Sequence, residues 1–449
     1  METITHENIY VEGISFSRIH VLWITHQVNA HGRCHIEGEI NEQEAKDIVQ
    51  RMDESFELQV TTTADGQPSR LFYGVFDKIH MEEGNSYATL VLDGITTSKK
   101  LDVVKDSRTF QNTSQTYGQL LNTLIQGQGT VQMMVTDKAV GALIMKCDET
   151  EWEFIIRMAS QLAAPACVNI ISRMPQIYIG IPPASKTVTV DTISYGSNNE
   201  INSGGEASSS VNIYEYAYLG DEVSFQGKSY RIKSVYAEMK EGILECTYQF
   251  TVPTGFQVPR VTNKQASGRM MKGIVKAVEA DKVQVHLNSV DASYDEGGNW
   301  WLPYSTAYSS KDGSGWYSMP SEGDEIRVFF PSGNEGDAFA AGAVAKNVRA
   351  DVTDKAWSGV NGKEILMTKD GLIITCKEQK IYIKLSDENG IQIISDQNIN
   401  VTSGANINIS AGDTVKVIAE NEVIIGTAES HLNLRKEGIS ATAENIVIV

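Results

Sequence analysis

IYIKLSDENGIQIISDQNINVTSG, residues 381–404, opens a run of eight-residue blocks that continues to Val449. The third and fifth positions are apolar in seven of the eight complete blocks, and the incomplete last block follows the same rule. The residues at these positions are Ile383, Leu385, Ile391, Ile393, Ile399, Val401, Ile407, Ile409, Val415, Val417, Val423, Ile425, Ile439, Ala441, Val447 and Val449. Alternation rich in β-branched residues is typical of strands with one buried face, and a fixed period indicates a repeating architecture.

The length of this period favours strands that are shared between chains. Eight extended residues span roughly 26 Å, at about 3.3 Å per residue. A β-helix built by one chain needs two or three such sides per coil, so its repeat is considerably longer. Three intertwined copies would cover every apolar face and form a triangular rod on the order of 40 Å long, with strands about 4.8 Å apart. A single copy would leave an open apolar sheet edge, so we expect an obligate trimer.

Composition narrows the class of partner. The chain has 449 residues, which favours about three domains. Its net charge is −19, and an acidic protein is repelled by nucleic acid and by anionic lipid surfaces. We therefore expect no nucleic-acid partner.

The cysteines and the N-terminus indicate synthesis in a bacterial cytoplasm. The five cysteines are scattered without CxxC spacing, as structural thiols of a reducing compartment are: Cys34, Cys147, Cys167, Cys246 and Cys376. The first residues, METITHENIY, show no basic region followed by an apolar one, so we expect no signal peptide. No apolar run approaches the length of a membrane-spanning helix.

The first 105 residues predict an antiparallel barrel or sandwich. Its strands are expected at 9–14, 21–25, 34–40, 56–62, 71–79 and 87–92. A cluster in this region contains His20, His26, His31, Cys34 and His35, and it suggests a metal site. The spacing fits no standard zinc pattern, so ordinary strand histidines are the favoured interpretation.

Two helices are predicted next. Tyr117, Leu120 and Leu124 fall at helical spacing, and Thr150 with Glu153 forms a capping box before a second helix. The acidic side chains at the start of this second helix, Glu149, Glu151 and Glu153, could be read as catalytic carboxylates. Acidic residues at a helix start ordinarily complement the helix dipole, which is the interpretation we favour.

Strands return between residues 175 and 255, at 176–181, 187–193, 211–218, 222–225, 229–238 and 243–252. The Asn-, Gly- and Ser-rich stretch 197–210 predicts a flexible loop, and 253–267, with two prolines, predicts a linker. Five short strands between 268 and 347 then predict an OB-like barrel.

Exposed aromatic residues of an OB-like barrel can stack on bases, and this barrel has Trp300, Trp301, Tyr304, Tyr308, Trp316 and Tyr317. The charge of residues 268–347 argues against that role, because this region contains 7 Lys and Arg but 11 Asp and Glu and is therefore net negative, like nucleic acid itself. We expect these aromatic residues to pack in a core or between chains.

Taken together, three segments make the chain similar to the fused hub–spike proteins of contractile injection systems. These are the VgrG proteins of type VI secretion, the baseplate hub and spike of contractile phages, and the spikes of R-type bacteriocins. The first segment is TFQN at 109–112 with DETEWEF at 148–154, which resembles the family's hub helix motif through Trp152, Phe154 and Arg157. The second is the barrel, from Gly273 to Val344, and the third is the eight-residue repeat.

The resemblance implies a mainly β chain in five parts. They are a hub β-barrel at 1–105, a helical hub segment at 106–174, a second hub β-barrel at 175–260, the OB-like barrel at 268–347, and an intertwined trimeric triangular β-helix at 360–449. In a homotrimer the two hub barrels per chain make a ring of six that adapts a sixfold tail tube to a threefold spike. The expected partners are the tail tube ring and baseplate proteins, and on firing the spike meets the target cell envelope. No fused lysozyme fits between barrel and rod, so no catalytic residues are implied.

The repeat ends on Ile446, Val447, Ile448 and Val449, whose exposed side chains in three copies would form an apolar patch. We expect a PAAR-like tip protein to cover it.

The one irregular block places His431 and Asn433 at the two apolar positions. Three His431 side chains on a threefold axis could hold a metal ion or an anion, and no other cofactor is expected. A one-residue slip that buries Leu432 and Leu434 instead keeps the interior apolar, and we favour it.

The favoured function is mechanical: a trimeric spike, driven by sheath contraction, that punctures a target envelope and is not an enzyme. The alternative is a trimeric tailspike-type enzyme that degrades a cell-surface polysaccharide through paired carboxylates such as Asp295 and Glu296.

Overall fold

The computed structural model describes residues 3–51, 56–84, 87–190, 197–201, 207–295, 297–344, 349–359, 361–377 and 380–447. The chain divides into two compact units, residues 1–344 and 345–449. It is mainly β, as the sequence predicts.

The first six strands and one helix build the start of a large sheet. The strands are β1 (Ile9–Val11), β2 (Arg18–Gln27), β3 (Arg33–Asn41), β4 (Glu57–Thr62), β5 (Ser69–Glu83) and β6 (Tyr87–Thr96). Between β3 and β4 lies helix α1 (Glu42–Arg51), which buries Ala45 and Ile48 against the sheet. The Asn41 side chain accepts the backbone N–H of Gln43, as a helix-capping residue does.

A helical segment follows this first group of strands. It contains β7 (Asp106–Phe110), α2 (Tyr117–Leu124), β8 (Thr130–Met133), β9 (Ile144–Glu149), α3 (Glu151–Gln161), β10 (Ala166–Val168) and β11 (Gln176–Ile179). The strand β7 pairs with β9, and β8, β10 and β11 form a small sheet of their own. Both predicted helices are present, and Thr150 caps α3 through the predicted capping box.

The second group of strands continues the sheet begun by the first. These strands are β12 (Thr187–Val190), β13 (Ser197–Ile201), β14 (Ala207–Ile213), β15 (Glu222–Phe225), β16 (Lys228–Lys240) and β17 (Ile243–Thr251). Antiparallel pairing of β16 with β2 joins the two groups, so the two predicted hub barrels share one twelve-stranded sheet. Their interior faces also share one core, in which Leu22, Ile24 and Tyr248 are fully buried.

The region from 268 onward closes into a five-stranded barrel, as predicted. Its strands are β18 (Met270–Glu279), β19 (Lys282–His286), β20 (Leu302–Ser305), β21 (Glu325–Phe329) and β22 (Phe339–Ala343). Around the barrel the strand order is β18, β19, β20, β22 and β21. The third and fifth strands run parallel, and the other pairs are antiparallel. Val283, Val285 and Val328 fill the interior.

The second unit contains two antiparallel sheets. The first has β23 (Lys355–Ser358), β24 (Glu364–Thr368), β25 (Gly371–Lys377), β26 (Ile381–Ser386) and β27 (Gly390–Ser395), and the second has β28 (Glu422–Gly426), β29 (His431–Arg435) and β30 (Gly438–Thr442). Residues 396–421 contain no strand. The block strands predicted there do not form within one chain because no neighbouring segment of the chain pairs with them.

Two other expectations differ from the structure. The predicted loop 197–210 contains β13 and part of β14, which pair as a hairpin because β17 offers β14 a free edge. The predicted linker 253–267 is packed rather than free, and Phe256, Asn263 and Ala266 are buried in it. Among the described residues, no helix is long and apolar enough to cross a membrane.

The buried imidazole of His26, on the core face of β2, makes stability depend on pH. Burial lowers the pKa of His26 from 6.5 to about 4. The unfolded chain therefore binds the proton at a higher pH than the folded chain. The histidine's contribution to stability is complete above about pH 6.5 and is lost as the pH falls toward 4.

We expect the free energy of unfolding to fall by about 2–3 kcal/mol between roughly pH 7.5 and pH 4.5 through His26 alone. The measurement is denaturant unfolding of the full chain at both pH values, beside a His26→Gln variant. The variant cannot titrate at this position, so its pH dependence should be smaller by that amount. Equal pH dependence in both proteins would contradict the assignment.

Candidate functional site

Strand β9 and helix α3 meet at a sharp corner. Asp148 adopts a φ of 55°, which turns the chain just before Thr150. The Thr150 side chain accepts the backbone N–H of Glu153 at 3.1 Å, and the Thr150 N–H donates to the Glu153 carboxylate at 3.0 Å. Two helix-start donors are thereby satisfied, and the direction of α3 is fixed relative to β9.

Arg157 lies on the buried side of α3 and binds two carboxylates. Its Nε and Nη2 donate to Glu149 at 2.7 and 2.8 Å, and its Nη1 donates to Glu335 at 2.9 Å. Nη2 also donates to the backbone carbonyl of Met145 at 2.7 Å. Asn263 donates to the same carbonyl and to Glu335, at 2.7 and 3.0 Å. These residues, Glu149, Arg157, Asn263 and Glu335 with the Met145 carbonyl, are called the junction cluster below.

The junction cluster holds the barrel region against the helical segment. Glu149 ends β9, Arg157 is on α3, and Glu335 lies in a 3-10 turn, Glu335–Asp337, between β21 and β22. Burial works to lower the pKa of Arg157, but its hydrogen bonds to Glu149 and the negative charges of Glu335 and Glu149 outweigh that effect, and the pKa is raised. Arg157 therefore stays charged, and its Nε, Nη1 and Nη2 donors all have carboxylate partners only when both Glu149 and Glu335 are in place.

Strand β9 packs on two cores at once. Ile144 belongs to the core around α3, whereas Leu143, Met145 and Cys147 belong to the core of the barrel. Lys146 is fully buried, and its ammonium pairs with Asp106 and, at 3.1 Å, with Glu151. The barrel core thus includes residues that precede the barrel by more than a hundred positions.

Aromatic contacts connect α3 to the first strand group and to β7. Trp152 packs against His31 of the first strand group with ring centroids 4.7 Å apart. The His31 ring lies 2.7 Å from the Ser98 hydroxyl. Phe154 packs on Phe110 at 5.5 Å, and the Arg157 guanidinium lies 5.1 Å from the Phe154 ring centre. The three predicted motif residues Trp152, Phe154 and Arg157 are all buried. Trp152 contacts the first strand group and Arg157 contacts the barrel region, whereas Phe154 packs within the helical segment.

The TFQN segment contacts the barrel directly. The Thr109 backbone N–H donates to Asp291 at 2.8 Å, and its hydroxyl donates to the same carboxylate. Gln111 donates to the Val285 carbonyl at 3.0 Å and accepts the backbone N–H of Asn299 at 3.1 Å. Both segments of the predicted hub motif therefore meet the barrel.

The acidic residues at the start of α3 each have a cation as partner. Glu149 binds Arg157, Glu151 binds Lys146, and Glu153 binds Lys105. The clustered histidines are separated by the fold: His20 contacts Glu39, His31 contacts Ser98, and His35 contacts Asp93. Within the described ranges no three His, Cys, Asp or Glu side chains lie together in a way that could hold a metal ion.

The other candidates in the barrel are dispersed. Trp300 and Tyr304 pack against the barrel core, whereas Tyr308, Trp316 and Tyr317 are exposed. Trp301 is half-buried. Asp295 accepts the backbone N–H of Gly297 at 2.9 Å, and Glu296 lies outside the described residues.

In the second unit, the first sheet presents one continuous apolar face. Residues directly opposite each other on paired antiparallel strands point to the same face. The pairs are Ile365 with Ile374, Met367 with Leu372, Ile374 with Ile383, Leu372 with Leu385, Ile383 with Ile393, and Leu385 with Ile391. This set is called the apolar ladder. Ile391 and Ile393 at its edge are 72% and 60% exposed.

The remaining predicted rod residues are likewise uncovered in one chain. Seven of these side chains are more than half exposed: Ile399, Val401, Ile407, Ile409, Val415, Val417 and Ile425. Val423 is half-buried. Ile446 and Val447 are 58% and 81% exposed, and Ile448 and Val449 lie outside the described residues.

The strand register around His431 matches the one-residue slip. Leu434 lies opposite Val423 and Ile439, and Leu432 lies opposite Ile425 and Ala441. Leu432 and Leu434 thus share the face of the repeat residues, and His431 and Asn433 point to the other face of this sheet.

Sequence reasoning missed Asn263, Glu335 and Lys146. Asn263 lies in the supposed linker, and Glu335 lies in a short surface-like stretch, NEGD, that gives no pattern. Lys146 interrupts the apolar run LIMKC, and a lysine inside such a run is a signal that it is buried with acidic partners.

We expect Arg157→Met to lower the free energy of unfolding by about 3–5 kcal/mol, because it leaves Glu149 and Glu335 buried without a counter-charge. Arg157→Lys should recover only part of this loss, since lysine cannot bind Glu149 through two parallel hydrogen bonds. Denaturant unfolding of the full chain measures both, with Lys105→Met, which removes a surface partner of Glu153, as the control that should change little. Wild-type stability in Arg157→Met would contradict the role of the junction cluster.

Neither a protein-family model nor a curated protein matches this sequence. Solved structures do match. One is the Escherichia coli c3393 protein, described as a component of the type VI secretion system with structural similarity to the bacteriophage T4 tail proteins gp27 and gp5. It is 13% identical, with a TM-score of 0.57 over 75% of this chain and 99% of that one.

A second is a chain of the Francisella PdpA–VgrG complex, which is 9% identical with a TM-score of 0.52 over 84% of this chain and 83% of that one. At these identities the likeness concerns the fold. The chain therefore has the fold of VgrG-like hub proteins, in agreement with the resemblance read from its sequence.

Proposed function

We propose that this chain is the structural hub and spike of a contractile injection particle, such as a phage tail, a bacteriocin or a type VI-like secretion machine. The observation that carries the proposal is the apolar ladder and its continuation, which one chain leaves exposed. Isoleucine and valine side chains that are more than half exposed at regular spacing need a cover, since large exposed apolar patches mark interaction surfaces. The likeness in fold to a type VI secretion component supports the proposal that further copies of the same chain form that cover.

In the proposed homotrimer, three copies of the repeat wind together and bury the rod residues along the axis. Residues 396–421, which lack strands in one chain, would then pair with other copies. The junction cluster would keep the barrel fixed on the hub, so that a push on the hub reaches the spike. The tail tube ring, baseplate proteins and a PAAR-like tip are the proposed partners, and the target envelope is the surface that the spike meets.

The proposed role needs no catalysis. A polysaccharide-degrading tailspike remains the alternative, but no specific observation favours it: Asp295 is occupied by a backbone N–H, and the partner carboxylate Glu296 is outside the described residues. An axial ion at His431 is a separate hypothesis, and the register of β28, β29 and β30 favours the slip that turns His431 away from the repeat face.

We expect the full-length protein to have a native mass of three 49.3 kDa chains, and Ile407→Asp with Ile409→Asp to reduce it to one. A carboxylate buried in the rod axis would be strongly destabilising. Asn408→Asp, which adds one carboxylate at the intervening position on the opposite face of the strand, should leave the trimer intact. Native mass spectrometry distinguishes these outcomes, and a version truncated before Lys363 should also fail to trimerise stably.

A stable wild-type monomer, or equal loss of trimer in the Ile407/Ile409 and Asn408 variants, would contradict the spike proposal. Assays of glycan hydrolysis on the monomer would then test the enzyme alternative.

We also expect removal of Ile446, Val447, Ile448 and Val449 to abolish binding of a PAAR-like protein while leaving the trimer intact. The exposed Ile446 and Val447 are the apolar surface that the tip would cover. Co-purification of a PAAR-like protein with the full-length and shortened trimers measures the effect. Undiminished binding by the shortened trimer would show that the tip docks elsewhere.

A further inference from the structure

A cavity of about 260 Å³ lies beside the C-terminal end of β2, where β2 meets the helical segment and the stretch that leads into β12. Its wall is mainly apolar and includes Val168, Ile171, Pro182 and Leu219. A cavity of roughly 150 Å³ is enough to hold one benzene ring. The space therefore suits a single six-membered ring with one substituent.

His26 lies in this wall and, within the described part of the chain, carries the wall's buried side-chain nitrogens that have no hydrogen-bond partner. The residue is 4% exposed, and neither of its ring nitrogens makes a hydrogen bond. Burial lowers the pKa of His26, and the nearby backbone of Val168 raises it by a smaller amount. The distance and angle between Val168 and the ring nitrogens do not meet those of a hydrogen bond. Because burial keeps the ring neutral near pH 7, one nitrogen is a donor and the other an acceptor.

The charged and amide groups of the same wall are already occupied. Asp221 accepts the backbone N–H groups of Ser185 and Tyr218 at 2.6 and 2.8 Å and the Ser185 hydroxyl at 2.8 Å. Asn169 donates to Gln176 at 2.9 Å and accepts the N–H of Ile171 at 3.1 Å. The wall therefore offers no free charge to an ion. It favours an uncharged ligand whose polar group can both donate and accept.

We propose that this cavity binds a phenol-type group, with its ring between Pro182, Ile171 and Leu219 and its hydroxyl hydrogen-bonded to His26. Both nitrogens are covered by protein atoms in this structure, so the proposed hydrogen bond requires the imidazole to rotate toward the cavity. The hydroxyl then satisfies a polar group that is otherwise buried without a partner, which favours its entry. The source is either a free phenolic compound or a tyrosine side chain of a partner. The proposal is independent of the hub–spike function.

The test compares p-cresol with toluene, which has the same ring and methyl group but no hydroxyl. Isothermal titration calorimetry on the full-length protein should show p-cresol binding about tenfold or more tightly than toluene, since one hydrogen bond corresponds to roughly a factor of ten. His26→Leu should remove this preference while toluene still binds. His20→Leu, which changes an exposed histidine on the same strand, should leave the preference unchanged.

A second variant covers the case in which His26→Leu does not fold. Ala184 is exposed at the cavity wall, so Ala184→Trp should fold, fill the space and abolish p-cresol binding. Absence of p-cresol binding to the wild type, equal affinity for p-cresol and toluene, or unchanged binding in Ala184→Trp would each overturn the proposal.

The two sources of the phenol are separated by what the purified protein carries. A phenolic compound released on denaturation, and absent from Ala184→Trp, identifies a free ligand. An empty wild-type cavity that binds p-cresol, and also N-acetyltyrosinamide, identifies a tyrosine side chain as the natural occupant.

Discussion

The contact between Arg157 and its two carboxylates is the constraint on which the first unit depends. A buried guanidinium is tolerated only when its charge and its donors are matched, and here the partners come from β9 and from the turn between β21 and β22. Helix α3, strand β9 and the turn between β21 and β22 must therefore be held together for Arg157 to keep all of these hydrogen bonds. Replacing a buried ion pair of this kind by well-packed apolar residues is often neutral for stability, whereas removing one partner is strongly destabilising. Trp152 extends the same fixed geometry to the first strand group through His31, and Phe154 extends it to β7 through Phe110.

The two units solve the problem of apolar burial in different ways. In the first, both strand groups contribute to one sheet and one core, and side chains such as Leu22 and Ile36 are completely buried. In the second, the strands have the right alternation, yet the ladder they form faces outward, with Ile391 at 72% exposure. The first unit contains its own complete core, whereas the second has a surface with the composition of a core. This contrast is the physical basis for proposing further copies as its cover.

The sequence predicts the features that depend on local periodicity or on helix-capping residues. The eight-residue repeat predicts the common face of Ile383, Leu385, Ile391 and Ile393, and the strand register agrees. The Thr150 capping box predicts α3, and five apolar strands predict the closed barrel. Helix α1 was missed although Asn41 is a usable start signal. Three features were missed because each depends on a partner that is distant in sequence. They are the hairpin of β13 and β14, which pairs with β17, the pairing of β2 with β16, and the contact of Glu335 with Arg157.

The junction cluster also sets an order of events during synthesis. Arg157 and Glu335 are 178 positions apart, and ribosomes add about 5–20 residues per second, so α3 exists for roughly 9–36 seconds before Glu335 is made. During that interval Arg157 has Glu149 alone as a carboxylate, and Leu143, Met145 and Cys147 lack the barrel core that later covers them. Until translation has passed the barrel, these apolar side chains therefore have no barrel core to pack against. Because transiently exposed apolar surface favours aggregation, we expect the chain to aggregate more readily before the barrel has been made than after it.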